Sequence, residues 1–436
     1  MDTQPPASTK SPRWFAAYHA TPLYVRILIA LAFGVVAGLL LGDRAEVLEL
    51  GSGVILRLLG ALAPPLILVA VVHVLMTSDI PKGAAGRLAR LLLLNTTVAI
   101  LIGLLVANLL RPGEWAGGNI PPPGQSERAE SSRVIGIVVS NVPRSLFGPL
   151  GDGGSVIGVI VIAIAFGIAL RRHRHRNIAT AADLVQLAYD AILVVLHWVI
   201  DLVPVGVFCI VASVVGVQGF APFKALGGFI ITVLVALLLQ TCWYMLRIYF
   251  GSWVRPWDVL KGMRDALLMA FSTDSSTVTM PVTFACLRQK IRLRERSASL
   301  GALVGANFNN DGTALYEATA ALFVAQLIGQ ELSIVDQLMV VLTSVVASVG
   351  AAGIPEAGLV TMTLVFTQVG LPIEYIGLLV TVDWFLDRCR TVINVLGDVN
   401  VSCLLDGHTP EMLAPAEPAV LPDSHTVEPG GGSYNA

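Results

Sequence analysis

Charge is what this sequence has least of: 13% of its 436 residues are Asp, Glu, Lys or Arg, while 55% are hydrophobic. That leaves too little polar surface to cover a water-soluble globule of this size, so the chain belongs in a bilayer. An excess of positive charge is missing too, since 28 Lys and Arg face 30 Asp and Glu for a net charge of −2. A nucleic-acid partner therefore has no electrostatic support. Cys209, Cys242, Cys286, Cys389 and Cys403 stand apart in apolar stretches, with no CxxC pair and no histidine at ligand spacing. They read as small buried hydrophobes rather than a disulfide framework or a zinc site. HExxH and GxSxG are absent and the seven histidines are isolated, so nothing supports an enzyme.

Long apolar runs are what the sequence does have. Uncharged stretches occupy 27–42, 58–78, 91–110, 153–170, 202–223 and 225–246, each near the length of a membrane span or part of one. The polar segment before Arg26 carries no small-residue cleavage site, so the first run reads as a retained span. The stretch 177–216 holds Asp183, Asp190 and Asp201 ahead of Pro204, which predicts a long, kinked or broken helix. Lys10 and Arg13, then Lys82, Arg87 and Arg90, then Arg171 to Arg176, then Arg255, Lys261 and Arg264 fall at alternate loops. All four sets lie inside when the N-terminus is cytoplasmic. The Pro/Gly-rich loop 112–133 is then external.

Beyond residue 255 each apolar stretch is interrupted at its middle by small polar residues. Two apolar arms flank Ser272 to Thr277 within 266–287, each about 18 Å long as helix and so about half the membrane. The form recurs over 337–370 around Ser348 to Pro355, where Gly and Pro open the backbone. Both predict re-entrant helical hairpins. A helix with a polar motif follows each, carrying Asn307 to Thr313 in the first case and Asp383 to Asp398 in the second. Ser276 to Asp311 is 35 positions and Gly353 to Asp387 is 34, so 256–330 and 333–406 read as one unit used twice. Arg288, Lys290, Arg292, Arg294 and Arg296 flank the first hairpin's exit, while 329–336 lacks Lys and Arg. This places the hairpins on opposite sides, an inverted repeat of the kind used in alternating-access transport.

In the last helix Asp383, Asp387, Arg390, Thr391, Asn394 and Asp398 confine themselves to an arc of about 100°. Charges within a span cost at least ~2.5 kcal/mol each, so they need partners or a wet cavity. An internal ion pair that locks two helices is the plain alternative to a ligand site. Asp387 suits an ammonium and Arg390 a carboxylate, together the description of an amino acid. Asp311 and Asp398, with Asn309 and Asn394, offer hard oxygen ligands to a small cation. Hydroxyls and a half-helix N-terminus at the first hairpin tip suit a carboxylate.

Four motifs in order, STDSSTVTMPVT (272–283), NNDGTALYE (309–317), AAGIPEAG (351–358) and DWFLDRCRTVINVLGD (383–398), resemble the dicarboxylate/amino acid:cation symporter family, the glutamate and aspartate transporters. The resemblance spans about 20–406 and implies an all-α polytopic membrane protein with eight transmembrane helices and two re-entrant hairpins. It further implies a homotrimer in which a transport domain moves like an elevator against a trimer scaffold. Its division would be a cytoplasmic tail 1–20, helices one to six over 21–255, hairpin 1 and helix 7 over 256–330, hairpin 2 and helix 8 over 331–406, and a disordered cytoplasmic tail 407–436.

By motif position the resemblance assigns the substrate amine to Asp387, its side-chain carboxylate to Arg390, and further substrate contacts to Ser275, Ser276, Thr313, Ile354, Gly358, Thr391 and Asn394. Family carriers of dicarboxylates lack the residue matching Asp387, and carriers of neutral amino acids lack the arginine. Having both points to L-aspartate or L-glutamate. Sodium is assigned to Asp398, Asn309, Asn394 and Gly305, to Asp311 with Asn95 and Thr96, and to carbonyls of Ser348, Gly350 and Ala351. Asn310, Asn95 and Leu92 depart from the family's usual Met, Thr and Tyr. Proton coupling is the alternative, and Glu317 matches a glutamate used for proton or potassium coupling. Asp274 replaces a Ser or Arg; paired with Arg390 it would shift preference toward a neutral amino acid, and otherwise it is a turn residue. An anion-conducting channel is the reading from another class.

Overall fold

A hydrocarbon interior forces backbone polar groups to pair within their own segment, and helices are the only regular structure among the described residues of this computed structural model. Those residues are 21–77, 85–116, 146, 148, 162, 165–170, 173, 178–350 and 357–409. The first five long helices are α1 (Leu23–Leu41), α2 (Glu49–Thr77), α3 (Ala85–Leu110), α4 (Ala181–Gln218) and α5 (Ala221–Gly251). Among the described residues four helical segments, Leu23–Leu48, Gly86–Trp115, Ala181–Gln218 and Ala221–Gly251, are long and apolar enough to cross a membrane. Most of the fourth apolar run, most of the loop 112–133 and the tail from 410 lie outside the described residues.

The run 202–223 is not a span of its own. Its residues 202–218 form the second half of α4, a single helix of 38 residues with Pro204 inside it and Gly219 as its C-cap, and 221–223 already belong to α5. At 1.5 Å per residue α4 is about 57 Å long, well beyond the hydrocarbon thickness. Its start is fixed by a capping box in which Thr180 Oγ1 accepts the Asp183 N–H at 3.2 Å and the Asp183 carboxylate accepts the Thr180 N–H at 2.9 Å. Asp201, costly inside a span, is matched by Arg26 of α1 at 3.0 Å. Helices α1 and α2 each pack on α4. Gly38 lets α1 approach α4 closely, for a Cβ there would lie 2.6 Å from the Ala212 carbonyl oxygen.

The first predicted hairpin is present as α6 (Arg264–Thr273) and α7 (Ser276–Cys286). Asp274 closes α6 in the left-handed region at φ 56°, a conformation that Asp tolerates better than most residues. Ser275 caps α7, its hydroxyl accepting the Val278 N–H at 3.2 Å. Lys290, 2.6 Å from Asp265, ties the hairpin's exit to its entry. Pi-helical turns at Leu287–Ile291 and Leu300–Val304 and a 3-10 turn at Gly305–Asn307 lead to α8 (Asp311–Leu327).

Here the structure corrects the reading of 307–313 as helix. The chain is open through Asn310 and the helix starts at Asp311, because the Asn309 amide is bonded to the last helix rather than to its own turn. Helices α9 (Ile334–Gly350) and α10 (Ala357–Gln368) pack together as the arms of the second hairpin; its tip, 351–356, lies outside the described residues. The last helix, α11 (Ile376–Asp406), touches α5, α8 and both arms of the first hairpin. Its polarity is not confined to one face, since Arg388, Asn400, Ser402 and Asp406 add to the predicted set. Asp406 takes the Trp253 indole N–H at 2.7 Å and the Arg294 backbone N–H at 3.0 Å.

Gly38→Ala is expected to lower stability by about 1–3 kcal/mol through overpacking at the α1–α4 contact. Thermal unfolding of the purified chain in detergent checks this; an unchanged midpoint would show that the close approach carries no strain.

Candidate functional site

A helix buried on nearly all sides cannot leave its charges to water, and α11 supplies partners from its own turns. Residues three and four apart share a face, so Asp383, Asp387 and Arg390 converge. Arg390 is fully buried; its guanidinium lies 3.0 Å from Asp383 Oδ1, and its Nε donates to Asp387 Oδ1 at 3.1 Å while Nη2 contacts the same oxygen. The guanidinium carbon is 4.0 Å from the centre of the Tyr316 ring, a cation–π contact from α8. On its other side is Gly358 of α10, where a Cβ would stand 2.8 Å from Nη1. Asp387 keeps 14% of its side chain exposed against 2% for Asp383, so the Asp387 half of the triad is the one a ligand can reach.

Of the two readings of Asp274, the turn residue is the one the structure fits, for it closes α6 and has no ion pair with Arg390. It accepts the Thr391 hydroxyl at 3.3 Å, while Arg390 has Asp383 and Asp387 as its ion partners. The hairpin tip is instead held by Arg388, whose Nη1 donates to the carbonyls of Phe271 and Ser272, each at 2.9 Å. Ser275 and Ser276 sit at that tip, with Ser276 buried. Thr313 is buried in the first turn of α8.

One helical turn further along α11 a second polar group forms. Asn394 Oδ1 accepts the Gly312 N–H at 2.8 Å, and its amide donates to Asn310 Oδ1 at 3.2 Å. Asn309 donates to the Asn394 carbonyl at 3.1 Å and to Asp398 at 2.9 Å. The Asn309 side-chain oxygen is buried without a partner, an acceptor that a cation would satisfy. Gly305 lies at the 3-10 turn before this group. Asn310 reaches the second hairpin, donating to the Ser348 carbonyl at 3.0 Å. Of the carbonyl set assigned to a third cation, Ser348 is therefore already bonded; Gly350 ends α9, and Ala351, like Ile354, lies outside the described residues.

A third group surrounds Asp311, fully buried at the start of α8. Thr96 of α3 donates to Oδ1 at 2.6 Å and Tyr244 of α5 donates to Oδ2 at 2.5 Å. Beside Thr96, the Asn95 oxygen takes the guanidinium of Arg247, and Asn400 of α11 takes the same guanidinium at 3.3 Å. Glu317, two turns further along α8 and fully buried, accepts the Thr361 hydroxyl and leaves Oε2 without a partner. Thus Asn95, Thr96 and Asp311 come together as expected, as do Asn309, Asn394 and Asp398.

Tyr316, Tyr244, Arg247, Asn400 and Thr361 were not singled out from the sequence, nor was Asp383 as the arginine's partner. A weak signal existed: the uncharged run on α5 stops at 246, one residue short of Arg247, and Tyr244 lies three before it on the same helix face. Among the described residues no group of His, Cys, Asp and Glu is arranged to hold a metal ion by itself, so any cation here is bound through amide, hydroxyl and carbonyl oxygens as well.

Excitatory amino acid transporter 3 of Oryctolagus cuniculus is 41% identical over 274 residues, 62% of this chain and 50% of the relative. Excitatory amino acid transporter 4 of Rattus norvegicus is 37% identical over 297 residues, covering 66% and 53%, and excitatory amino acid transporter 3 of Homo sapiens is 39% identical over 256 residues, covering 58% and 48%. The chain spans about half the length of the curated relatives it matches. The sequence profile of the sodium:dicarboxylate symporter family matches residues 23–408, and with nearly all of its helical body inside that match the chain belongs to this family.

Proposed function

We propose that the chain is a secondary active transporter that carries an acidic amino acid, L-aspartate or L-glutamate, across the cell membrane together with sodium ions. The observation that carries this reading is the Asp387–Arg390 contact, in which a fully buried guanidinium meets a carboxylate that is still partly exposed. An amino acid with a second carboxylate presents an ammonium to Asp387 and a carboxylate to Arg390, replacing one internal pair by two matched ones, while Asp383 keeps the guanidinium oriented. Ser275, Ser276, Thr313, Gly358, Thr391 and Asn394 line the approach in this reading, with Ile354 on the second hairpin tip.

The cation reading follows from charge. Asp311, Glu317, Asp383, Asp387 and Asp398 are buried or nearly so; Arg390 pairs with Asp383 and Asp387, and Arg247 reaches Asn95 beside the Asp311 group. The surplus of carboxylate in an apolar surrounding needs cations or protons. Asn309 with its unpartnered oxygen, Asp398 and Asn394 form the set that fits sodium best. Proton coupling is the second reading, favoured by Glu317 with its unpartnered Oε2.

The same reading carries the architecture: eight transmembrane helices, two re-entrant hairpins related as an inverted repeat, both termini cytoplasmic, and a homotrimer. The scaffold would draw on α4 with α1 and α2, which both pack on it, and the moving part on α3, α5 to α11. Within it 256–330 and 331–406 would be the paired units, preceded by 21–255 and flanked by tails 1–20 and 407–436.

Uptake of labelled L-aspartate into proteoliposomes tests the function, with a sodium gradient and a proton gradient imposed separately. Sodium alone is expected to drive it. Uptake driven only by protons and lost in Glu317→Gln would replace sodium by the second reading.

Arg390→Met is expected to raise the KM for L-aspartate at least about 30-fold, the lower range for losing a buried charged hydrogen-bonding partner. It also strands Asp383, so Asp383→Asn added to Arg390→Met should recover thermal stability without recovering aspartate affinity. Unchanged affinity in the single variant would remove Arg390 from the substrate site.

A further inference from the structure

The buried carboxylates Asp398 and Asp311 sit in unlike surroundings. Beside Asp398, the Asn309 side-chain oxygen is buried and unpartnered. Around Asp311 the side-chain acceptors are already taken: both carboxylate oxygens by the hydroxyls of Thr96 and Tyr244, and those of Asn95 and Asn400 by Arg247. The Asn95 amide also donates to Asn400 Oδ1 at 3.3 Å, and the Asn400 amide to the Tyr244 carbonyl at 3.0 Å. The network thus closes through α3, α5, α8 and α11. Arg247 is half-buried, its guanidinium 6.0 Å from the centre of the Trp243 ring, and its charge acts on Asp311.

A guanidinium cannot lose its proton in this setting and is less strongly hydrated than a compact cation, so it is well suited to a partly desolvated site. Tyr244 and Arg247, three residues apart on α5, deliver a hydroxyl to the carboxylate and a positive charge to the amides flanking it.

We infer that Arg247 is a resident cation of the Asp311 group, held by Asn95 and Asn400, so that this chain binds one sodium ion fewer than it would with a neutral residue at 247. The inference rests on the sodium reading above and deepens it. A fixed guanidinium neutralises the cluster in every state of the transporter, whereas a transported ion does so only when loaded. The Asp398 group then remains the place where a free cation completes the coordination.

The test is a count of sodium ions bound to the full-length chain in detergent. The thermal midpoint is followed as sodium chloride replaces choline chloride at constant ionic strength, with L-aspartate held constant. At saturating sodium, the slope of stabilisation against the logarithm of concentration reports the number of ions bound to the folded state. Arg247→Met and Arg247→Gln are expected to steepen the slope by one ion, and Arg247→Lys, which retains the charge, to keep the wild-type slope. Arg247→Gln retains hydrogen bonding to Asn95 and serves if the methionine variant does not fold. A neutral variant with the wild-type slope or a shallower one overturns the inference while leaving sodium coupling intact. A wild-type chain whose midpoint ignores sodium overturns the sodium reading and the inference with it.

Discussion

Buried negative charge in excess of buried positive charge is the constraint on which the rest of this structure depends. Carboxylates on α8 and α11 lie where an apolar surrounding makes each unpaired one costly by several kcal/mol; of the five inner ones, Asp311, Glu317, Asp383, Asp387 and Asp398, Arg390 pairs with Asp383 and Asp387, and Arg247 is bonded to an amide beside the Asp311 group. Four nearby polar side chains answer that cost directly. Thr96 and Tyr244 donate to Asp311, Asn309 donates to Asp398, and Thr361 donates to Glu317. Such bonds lower the cost of holding charge but do not cancel it. The remaining deficit makes the site receptive to cations.

Helix interruption is what brings Asn309 inward, whereas Thr96, Tyr244 and Thr361 donate from within regular helices. At the opening before α8 the side-chain amides of Asn309 and Asn310 reach α11 and the second hairpin. The first hairpin has its own interruption at Asp274 and Ser275, a left-handed residue followed by a cap. Close approach does the rest: without a side chain at Gly358, α10 lies against the Arg390 guanidinium and shields it from water.

Much of this was legible in the sequence because helical periodicity is reliable over long segments. The positions 383, 387, 390, 391, 394 and 398 had to converge once the segment was a helix, and α11 runs unbroken through all of them. The hairpin break was legible for a similarly local reason, since Asp, Ser and Thr favour turns and caps over helix interiors. What was not legible depends on contacts distant in the chain. Asn307 to Asn310 read as helix because the bonds that open them lie about 85 positions away, at Asn394 and Asp398. Arg247 read as the end of a span because its partners Asn95 and Asn400 are each about 150 positions away. The Asp274 carboxylate could have faced either Thr391 or Arg390, which are neighbours on the same turn; the prior claim of Asp383 and Asp387 on the guanidinium decided it.

The charge deficit also explains why transport of an acidic amino acid would be coupled in such a site. The substrate carries one ammonium and two carboxylates, a net charge of about −1 at neutral pH. Its entry exchanges the Asp387–Arg390 contact for two contacts with the substrate, so local pairing is conserved but the enclosed negative charge grows. In a low-dielectric interior the added charge repels the neighbouring carboxylates strongly. Binding the substrate alone is therefore opposed by the same surplus that attracts cations, and binding both together relieves it. In a carrier of this kind each ligand would raise the affinity for the other, a reciprocity that linkage requires. Coupling then needs no separate device: it is the electrostatic consequence of enclosing an anion beside Asp311, Glu317 and Asp398.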